Sequence, residues 1–174
     1  MSHIAESPNF LQVYSNGTVK RFEPETALPS PQSPNHFRSK DITIDSTKPI
    51  TGRIFIPNNN KNTPNPKKLP ILIYFHGDGF CIGSTKWLNY HTFLGDLASQ
   101  ANIVILSIDY RLAPENRLPI AYVDGLTSLE WLGSNNSEAW LNQGDLSRLF
   151  YRGIAREVIL HIMSRLWLII IKLI

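Results

Sequence analysis

Short apolar segments separated by turn signals predict a series of β-strands in the first part of the chain. Leu11–Phe22 alternates apolar and polar residues around Asn16-Gly17, which indicates a β-hairpin with a type I′ turn. Asp41–Ile44 and Thr51–Ile56 are two further candidate strands, each with alternate isoleucines on one face. The proline-rich stretch Glu23–Pro34 is expected to join the hairpin to these strands as an extended connection.

A different pattern predicts a strand–helix–strand unit in the middle of the chain. Ile71–Phe75 and Ile103–Leu106 are continuous apolar runs with the length of strands that are buried on both faces, as in a parallel sheet. Between them, Trp87–Ala101 carries apolar residues at helical spacing. This order of elements predicts a right-handed βαβ unit.

A second helix is predicted after this unit. Pro119 opens it, and it reaches Leu132, with Gly133 as its stop. Four residues are expected on its apolar face: Ile120, Val123, Leu126 and Leu129. Polar loops are predicted at Pro57–Pro70 and Ser134–Ser137. The chain is therefore expected to have an α/β fold, with a mostly parallel sheet flanked by helices.

Composition and charge limit the kinds of partner and metal site that the chain is expected to have. The 174 residues are 43% apolar and 18% charged with a net charge of +3, which is typical of a soluble globular domain. The basic residues are scattered, so we expect no nucleic-acid partner. The single cysteine, Cys81, excludes an intrachain disulfide and a cysteine-based metal cage. Met1–Phe10 lacks the apolar core of a signal peptide, which suggests a cytoplasmic location, with the nucleus as an alternative.

The candidate chemistry lies where the run Ile71–Phe75 stops, at the glycine loop (residues 76–80, H-G-D-G-F). Glycines allow backbone conformations that side chains forbid, so this turn can direct several N–H groups at one point. That arrangement is typical of an oxyanion hole. The alternative is a tight strand-to-helix turn without chemistry.

A second motif, D-Y-R-L-A-P-E at Asp109–Glu115, directly follows the second apolar run. Together with the glycine loop, it resembles the hormone-sensitive-lipase-type branch of the α/β-hydrolases, and more narrowly the plant carboxylesterases and the related gibberellin receptor. Phe80–Ser84, Asn116–Pro119 and Asp124–Leu126 fit the same family. The resemblance extends from about Leu11 to Phe150, the N-terminal half of such a protein.

The resemblance implies that the backbone N–H groups of Gly77, Asp78 and Gly79 form an oxyanion hole. Asp78 stands where the family usually has glycine. Its carboxylate adds negative charge near a developing negative charge, and aspartate tolerates a positive φ less well than glycine, so both effects should weaken the hole. The alternative is that the Asp78 side chain points to solvent while its N–H still donates.

The other motif residues are expected to support the site and not to react. The resemblance implies that His76 fixes the loop by hydrogen bonds, and that Tyr110, Arg111 and Glu115 belong to a buried polar network behind it. It implies no metal ion and no organic cofactor.

The family's nucleophile is missing from the printed sequence. An α/β-hydrolase needs a serine in a G-x-S-x-G elbow, followed by an acid and a histidine, and no G-x-S-x-G occurs here. Residues 144–150 resemble the approach to that elbow. The sequence is therefore interpreted as truncated before the elbow, with none of the catalytic triad present.

The genetic code offers an explanation. One permitted set of codons for Arg152–Ser164 reads, from the third base of the first codon, as G-D-S-A-G-G-N-I-A-H-N-V, which contains the expected elbow. We therefore interpret residues 1–150 as a partial α/β-hydrolase domain and residues 151–174 as an out-of-frame or non-native tail. Charged residues interrupt the apolar tail, so no spanning helix of about 20 apolar residues is predicted. A basic amphipathic helix on a membrane surface and an aggregating tail remain the alternatives.

Three functions follow from these patterns. By resemblance the chain is a serine-type carboxylic-ester hydrolase for a small-molecule ester, inactive in this form because the triad is missing. The second hypothesis is a binding protein that holds a small hydrophobic ligand without cleaving it, as a hormone receptor does. The third is a non-functional truncated product. No pattern in the sequence indicates an oligomeric state.

Overall fold

A computed structural model describes residues 2–58, 67–134 and 138–153. The strands are β1 (His3–Ser7), β2 (Leu11–Tyr14), β3 (Val19–Arg21), β4 (Phe37–Asp45), β5 (Ile50–Pro57), β6 (Leu69–Phe75), β7 (Val104–Asp109) and β8 (Gly144–Gly153). The helices are α1 (Leu88–Ala101), α2 (Ile120–Gly133) and a short 3₁₀ helix, Leu141–Gln143. The centre of the predicted loop at Pro57–Pro70, most of the turn at Ser134–Ser137, and residues 154–174 lie outside the described residues.

The N-terminal hairpin is confirmed, but it belongs to a larger unit. Strands β1, β2 and β3 form a three-stranded antiparallel sheet, of which the sequence pattern predicted only the last two strands. The predicted type I′ turn is wrong, because that turn needs a positive φ at both central residues and only Gly17 has one, at 84°. Asn16 instead accepts a hydrogen bond from the N–H of Thr18 through its side chain, at 3.0 Å.

The main sheet has the strand order β4-β5-β7-β6-β8. Strands β6 and β7, which α1 connects, pair in parallel, as the strand–helix–strand pattern predicted. Strand β8 pairs in parallel with the other side of β6. Strand β5 runs antiparallel to both β4 and β7. The sheet is therefore mixed, and the expectation of a mostly parallel sheet holds only for its half that contains β7, β6 and β8.

Alternate residues of the central strands face two separate cores. On one face, Leu72 and Tyr74 pack with Leu94 and Ala98 of α1. On the other, Ile71 and Ile73 belong to the core that includes α2. Because both faces are covered, these strands are apolar in unbroken runs, which is the pattern that predicted them.

Both helices begin and end within one residue of the prediction, but the apolar face predicted for α2 is only partly correct: Leu129 is buried in the core and Leu126 packs against it. Val123 is 42% exposed, and of the four predicted residues only Leu129 is fully buried. The buried positions of α2 are mostly small or polar: Ala121, Asp124, Gly125, Ser128, Leu129 and Leu132. Small side chains let the helix approach the sheet closely, and Asp124 is buried because it has a charged partner (below). Neither helix of the described residues is long and apolar enough to cross a membrane.

Candidate functional site

The candidate site lies at the edge of the sheet where the three parallel strands end. Phe75, the last residue of β6, pairs with Ile108 of β7 on one side and with Gly153 of β8 on the other. The carboxyl ends of parallel strands meet at one edge, and loops at this edge form the ligand site in open α/β sheets. The glycine loop and the Asp109–Glu115 motif follow β6 and β7 there, so the structure brings the two sequence motifs together.

The glycine loop has a backbone conformation that exposes its middle. Asp78, Gly79 and Phe80 have consecutive positive φ angles of 70°, 63° and 61°. His76 and Gly77 are buried, whereas Asp78 and Gly79 are exposed. Within the described part of the chain, the N–H groups of Asp78 and Gly79 donate to no backbone carbonyl. They are available as donors to a ligand.

His76 packs beneath the glycine loop and contacts its backbone. Its imidazole stacks on the Tyr110 ring, with 4.4 Å between the ring centroids and 13° between the planes. Its Nδ1 lies 3.1 Å from the Gly77 carbonyl oxygen, which can only accept, so this hydrogen bond forms in the tautomer with the proton on Nδ1. The buried Nε2 has no hydrogen-bond partner among the described residues and lies 3.9 Å from Oδ1 of Asp109. Burial lowers the pKa of His76, and the Asp109 carboxylate partly offsets this, so the ring is held neutral.

The Tyr110 hydroxyl fixes the start of the glycine loop, at His76 and Gly77. It donates to the carbonyl oxygen of His76 at 2.7 Å and lies 3.2 Å from that of Gly77. Burial raises the pKa of the Tyr110 phenol, so it remains a protonated donor at neutral pH. The predicted supporting role of Tyr110 therefore has a specific geometry.

Asp78 combines parts of both sequence-based alternatives. Its side chain is exposed, as the second alternative required, and Oδ2 accepts a hydrogen bond from the hydroxyl of Tyr90 on α1 at 3.0 Å. Burial and the Asp78 carboxylate raise the pKa of Tyr90, which keeps that hydroxyl protonated. The negative charge nevertheless stays at the loop, and the sequence pattern gave no signal that Tyr90 would hold it.

Arg111 and Asp124 form an ion pair that links the segment after β7 to the first half of α2. The Arg111 backbone N–H and Nε both donate to Oδ2 of Asp124 at 2.9 Å, and Nη2 donates to Oδ1 at 2.6 Å. Asp124 is fully buried, and Arg111 is 22% exposed at its side chain. This bidentate pair fixes the segment after β7 against α2.

The expected burial of Glu115 is wrong. Its side chain is 46% exposed and pairs with Arg21 of β3, with 2.5 Å between Oε2 and Nη2. Glu115 lies at the outer surface because the segment between Arg111 and α2 turns outward, to where the N-terminal sheet meets the site. Sequence reasoning missed Arg21 altogether, since its partners are 60 to 94 positions away along the chain.

A second charged side chain, that of Arg53, is buried against α1. Arg53 is 1% exposed; it pairs with Asp41, donates to the Ala27 carbonyl at 2.8 Å, and donates to Nδ1 of His91 at 2.9 Å. Burial and the Arg53 charge lower the pKa of His91, which keeps the ring neutral as an acceptor. In the described residues, no three His, Cys, Asp or Glu side chains lie close enough together to hold a metal ion.

Known proteins resemble this chain in sequence. Residues 72–155 match the family model described as alpha/beta hydrolase fold. A 2-hydroxyisoflavanone dehydratase from Glycyrrhiza echinata is 40% identical over 159 residues, which cover 85% of this chain and 48% of the relative. Probable carboxylesterase 6 of Arabidopsis thaliana is 37% identical over 155 residues, covering 86% of this chain and 45% of the relative. The chain belongs to the α/β-hydrolase family.

A solved structure agrees with this assignment. An esterase from Pyrobaculum calidifontis superposes with a TM-score of 0.54 at 32% identity, over 70% of this chain and 36% of the esterase. The chain thus spans about half the length of the curated α/β-hydrolases it matches. Because the relatives' names include a carboxylesterase and a dehydratase, membership of the family does not by itself fix the reaction.

Substituting Gly83→Ala should displace His76 and cost more stability than Gly79→Ala. Both glycines have positive φ angles, so both variants carry backbone strain. A Cβ at Gly83 would lie 2.4 Å from Nδ1 of His76, whereas one at Gly79 meets nothing within 4 Å. The His76 ring is buried and stacked, so it cannot yield freely, and we expect an additional loss of roughly 1–3 kcal/mol of unfolding free energy. Chemical denaturation of both variants measures this difference, and equal losses would contradict the packing of His76 described here.

Proposed function

We propose that this chain supplies the oxyanion-binding half of a carboxylic-ester hydrolase site that acts on a small-molecule ester through a serine nucleophile. One observation carries the proposal: Gly153 pairs with Phe75 in adjacent parallel strands. Adjacent strands lie about 4.8 Å apart, so the end of β8 lies beside the start of the glycine loop. A nucleophile on a turn after β8 would face the free N–H groups of Asp78 and Gly79.

The chemistry fits this arrangement. A serine oxygen attacks the ester carbonyl, and the carbonyl oxygen becomes an oxyanion in the tetrahedral intermediate. Preorganised N–H donors stabilise that charge, and removal of one such donor costs on the order of 10²–10³ in rate. The Tyr110 and His76 contacts fix the start of the loop, which keeps its donors in place before the substrate binds.

We further propose that the printed chain does not hydrolyse esters by this route. The residues after Gly153 are Ile154, Ala155 and Arg156, which offer no hydroxyl nucleophile. In addition, His76 is held as a buried structural ring and is no candidate for the general base.

The 174-residue chain should therefore form no covalent adduct with a fluorophosphonate, which labels activated serines. Intact-mass analysis after incubation measures the adduct, and p-nitrophenyl butyrate hydrolysis should equal that of heat-denatured chain. A single stoichiometric adduct on a serine would overturn the proposed inactivity.

The family's elbow is proposed to be encoded in another frame at this same position. The alternative reading of the Arg152–Ser164 codons begins within the codon of Arg152, so its G-D-S-A-G-G-N would emerge at the end of β8. At least one permitted set of codons therefore places the elbow motif at a strand end, and this compatibility supports the out-of-frame interpretation of the segment.

Sequencing the transcript across the codons for residues 144–174 tests that interpretation. We expect a base difference near codons 150–152, relative to intact relatives, after which G-D-S-A-G-G-N and a later acid and histidine can be read. An undisturbed frame in the transcript would contradict it and would favour a binding protein over a misread esterase.

Binding without hydrolysis is the second candidate function, and the charge of Asp78 favours it. A carboxylate at the loop opposes a developing oxyanion but does not oppose a neutral ligand. Asp78→Asn keeps the shape and removes the charge, so affinity for the monoanion methyl butylphosphonate should rise roughly threefold to tenfold. Asp96→Asn, which removes an equal charge from the exposed surface of α1, should leave the affinity unchanged. Titration followed by amide NMR shifts of Gly77 to Gly79 measures both, and equal affinity in the Asp78 variant would show that its charge does not act on the loop.

A further inference from the structure

We infer that Arg21, in the N-terminal sheet, is a positioning residue that fixes the C-terminal end of the glycine loop, next to Cys81. The inference extends the proposed function, since it concerns how the donors of that loop are kept in place. It assigns a role to β3, which lies outside the main sheet and far from the loop in sequence.

The guanidinium of Arg21 reaches three acceptors on two separate loops. One Nη1–H bond is donated to the carbonyl oxygen of Cys81, just after the glycine loop. Nη2 donates to the carbonyl oxygen of Ala113 at 2.8 Å and to Oε2 of Glu115 at 2.5 Å. A planar guanidinium can bond several acceptors in fixed directions, which an ammonium group cannot do.

These acceptors are the points at which the glycine loop closes. The Cys81 N–H donates to the Asp78 carbonyl at 3.3 Å, and the Ala113 N–H donates to the Phe80 carbonyl at 2.8 Å. Arg21 thus donates to the carbonyl oxygens of Cys81 and Ala113, the two residues whose N–H groups close the loop. Tyr110 fixes the start of the loop at His76, and Arg21 fixes its end at Cys81. The exposed donors of Asp78 and Gly79 are therefore held between two fixed points.

The carbonyl bonds should contribute more to positioning than the ion pair. The Glu115 side chain is 46% exposed and that of Arg21 is 26% exposed, and exposed ion pairs are screened by water and salt. Bonds from a charged donor to the carbonyls of partly buried residues are stronger than neutral ones. Glu115 mainly orients the guanidinium, so loss of its charge should affect the loop less than loss of Arg21.

Amide hydrogen exchange on the full 174-residue chain tests the inference. In Arg21→Ala, exchange at the hydrogen-bonded amides of residues 79–82, those of Cys81 and Ile82, should rise about tenfold, the factor that corresponds to one lost hydrogen bond to a charged group. Lys20→Ala is the matched control: it removes a positive charge from the same strand, and its ammonium lies 4.6 Å from the centroid of the Phe22 ring, away from the loop. The control should leave exchange at residues 79–82 unchanged.

Two conservative variants separate positioning from general stability. Arg21→Lys keeps the charge but cannot hold both carbonyls, so it should show a smaller rise at residues 79–82 with an unchanged denaturation midpoint. Glu115→Gln should show less change still. Exchange at residues 79–82 that stays at the wild-type rate in Arg21→Lys and Arg21→Ala, or rises equally throughout the chain, overturns the inference. If Arg21→Ala does not fold, the Lys variant decides.

A separate readout distinguishes this inference from the proposed function. If methyl butylphosphonate shifts no amide of residues 77–79 in the wild-type chain, the loop is not an oxyanion site and the proposed function fails. The exchange measurements would still report whether Arg21 positions the loop. If the phosphonate does bind, Arg21→Ala should weaken its binding about tenfold.

Discussion

The parallel pairing of β6 with its two neighbours is the constraint on which the site depends. Because β7 and β8 both run parallel to β6, three strands end at one edge, where the glycine loop and the Asp109–Glu115 motif meet. Both faces of β6 are buried, so a slip of one residue would exchange Ile71 and Ile73 with Leu72 and Tyr74 between two different cores. The register is therefore fixed by packing, and with it the position of His76 beside Tyr110.

On this fixed edge, polar contacts determine the shape of the loop. Buried charged or polar groups are costly without partners, and three of them here meet partners that tie two parts of the structure together. Asp124 joins α2 to the segment after β7, Arg53 joins β5 to α1, and the Tyr110 hydroxyl joins the two site loops. The glycine loop is thus held by groups from the N-terminal sheet, from α1 and from the segment after β7, and is more than a flexible turn.

Asp78 places a carboxylate in a loop that has a glycine-like backbone conformation. Its positive φ shows that an aspartate can occupy the glycine-like conformation when Tyr90 holds its carboxylate. The loop therefore combines exposed N–H donors with a nearby carboxylate, and this combination is why ester hydrolysis and ligand binding are both proposed.

The sequence by itself determined the local elements and the family. The unbroken apolar runs specified the buried strands, the helical spacing specified α1 and α2 to within a residue, and two short motifs identified the α/β-hydrolase relationship before any geometry was known. These signals are local, because each depends on residues within a few positions of one another. The tertiary structure alone decided the antiparallel direction of β5, the burial of α2 through small residues and Asp124, and the contacts of Arg21 and Tyr90 with the loop. Those contacts join residues 12 to 94 positions apart, and whether two such side chains meet depends on how the elements pack, which no local pattern records.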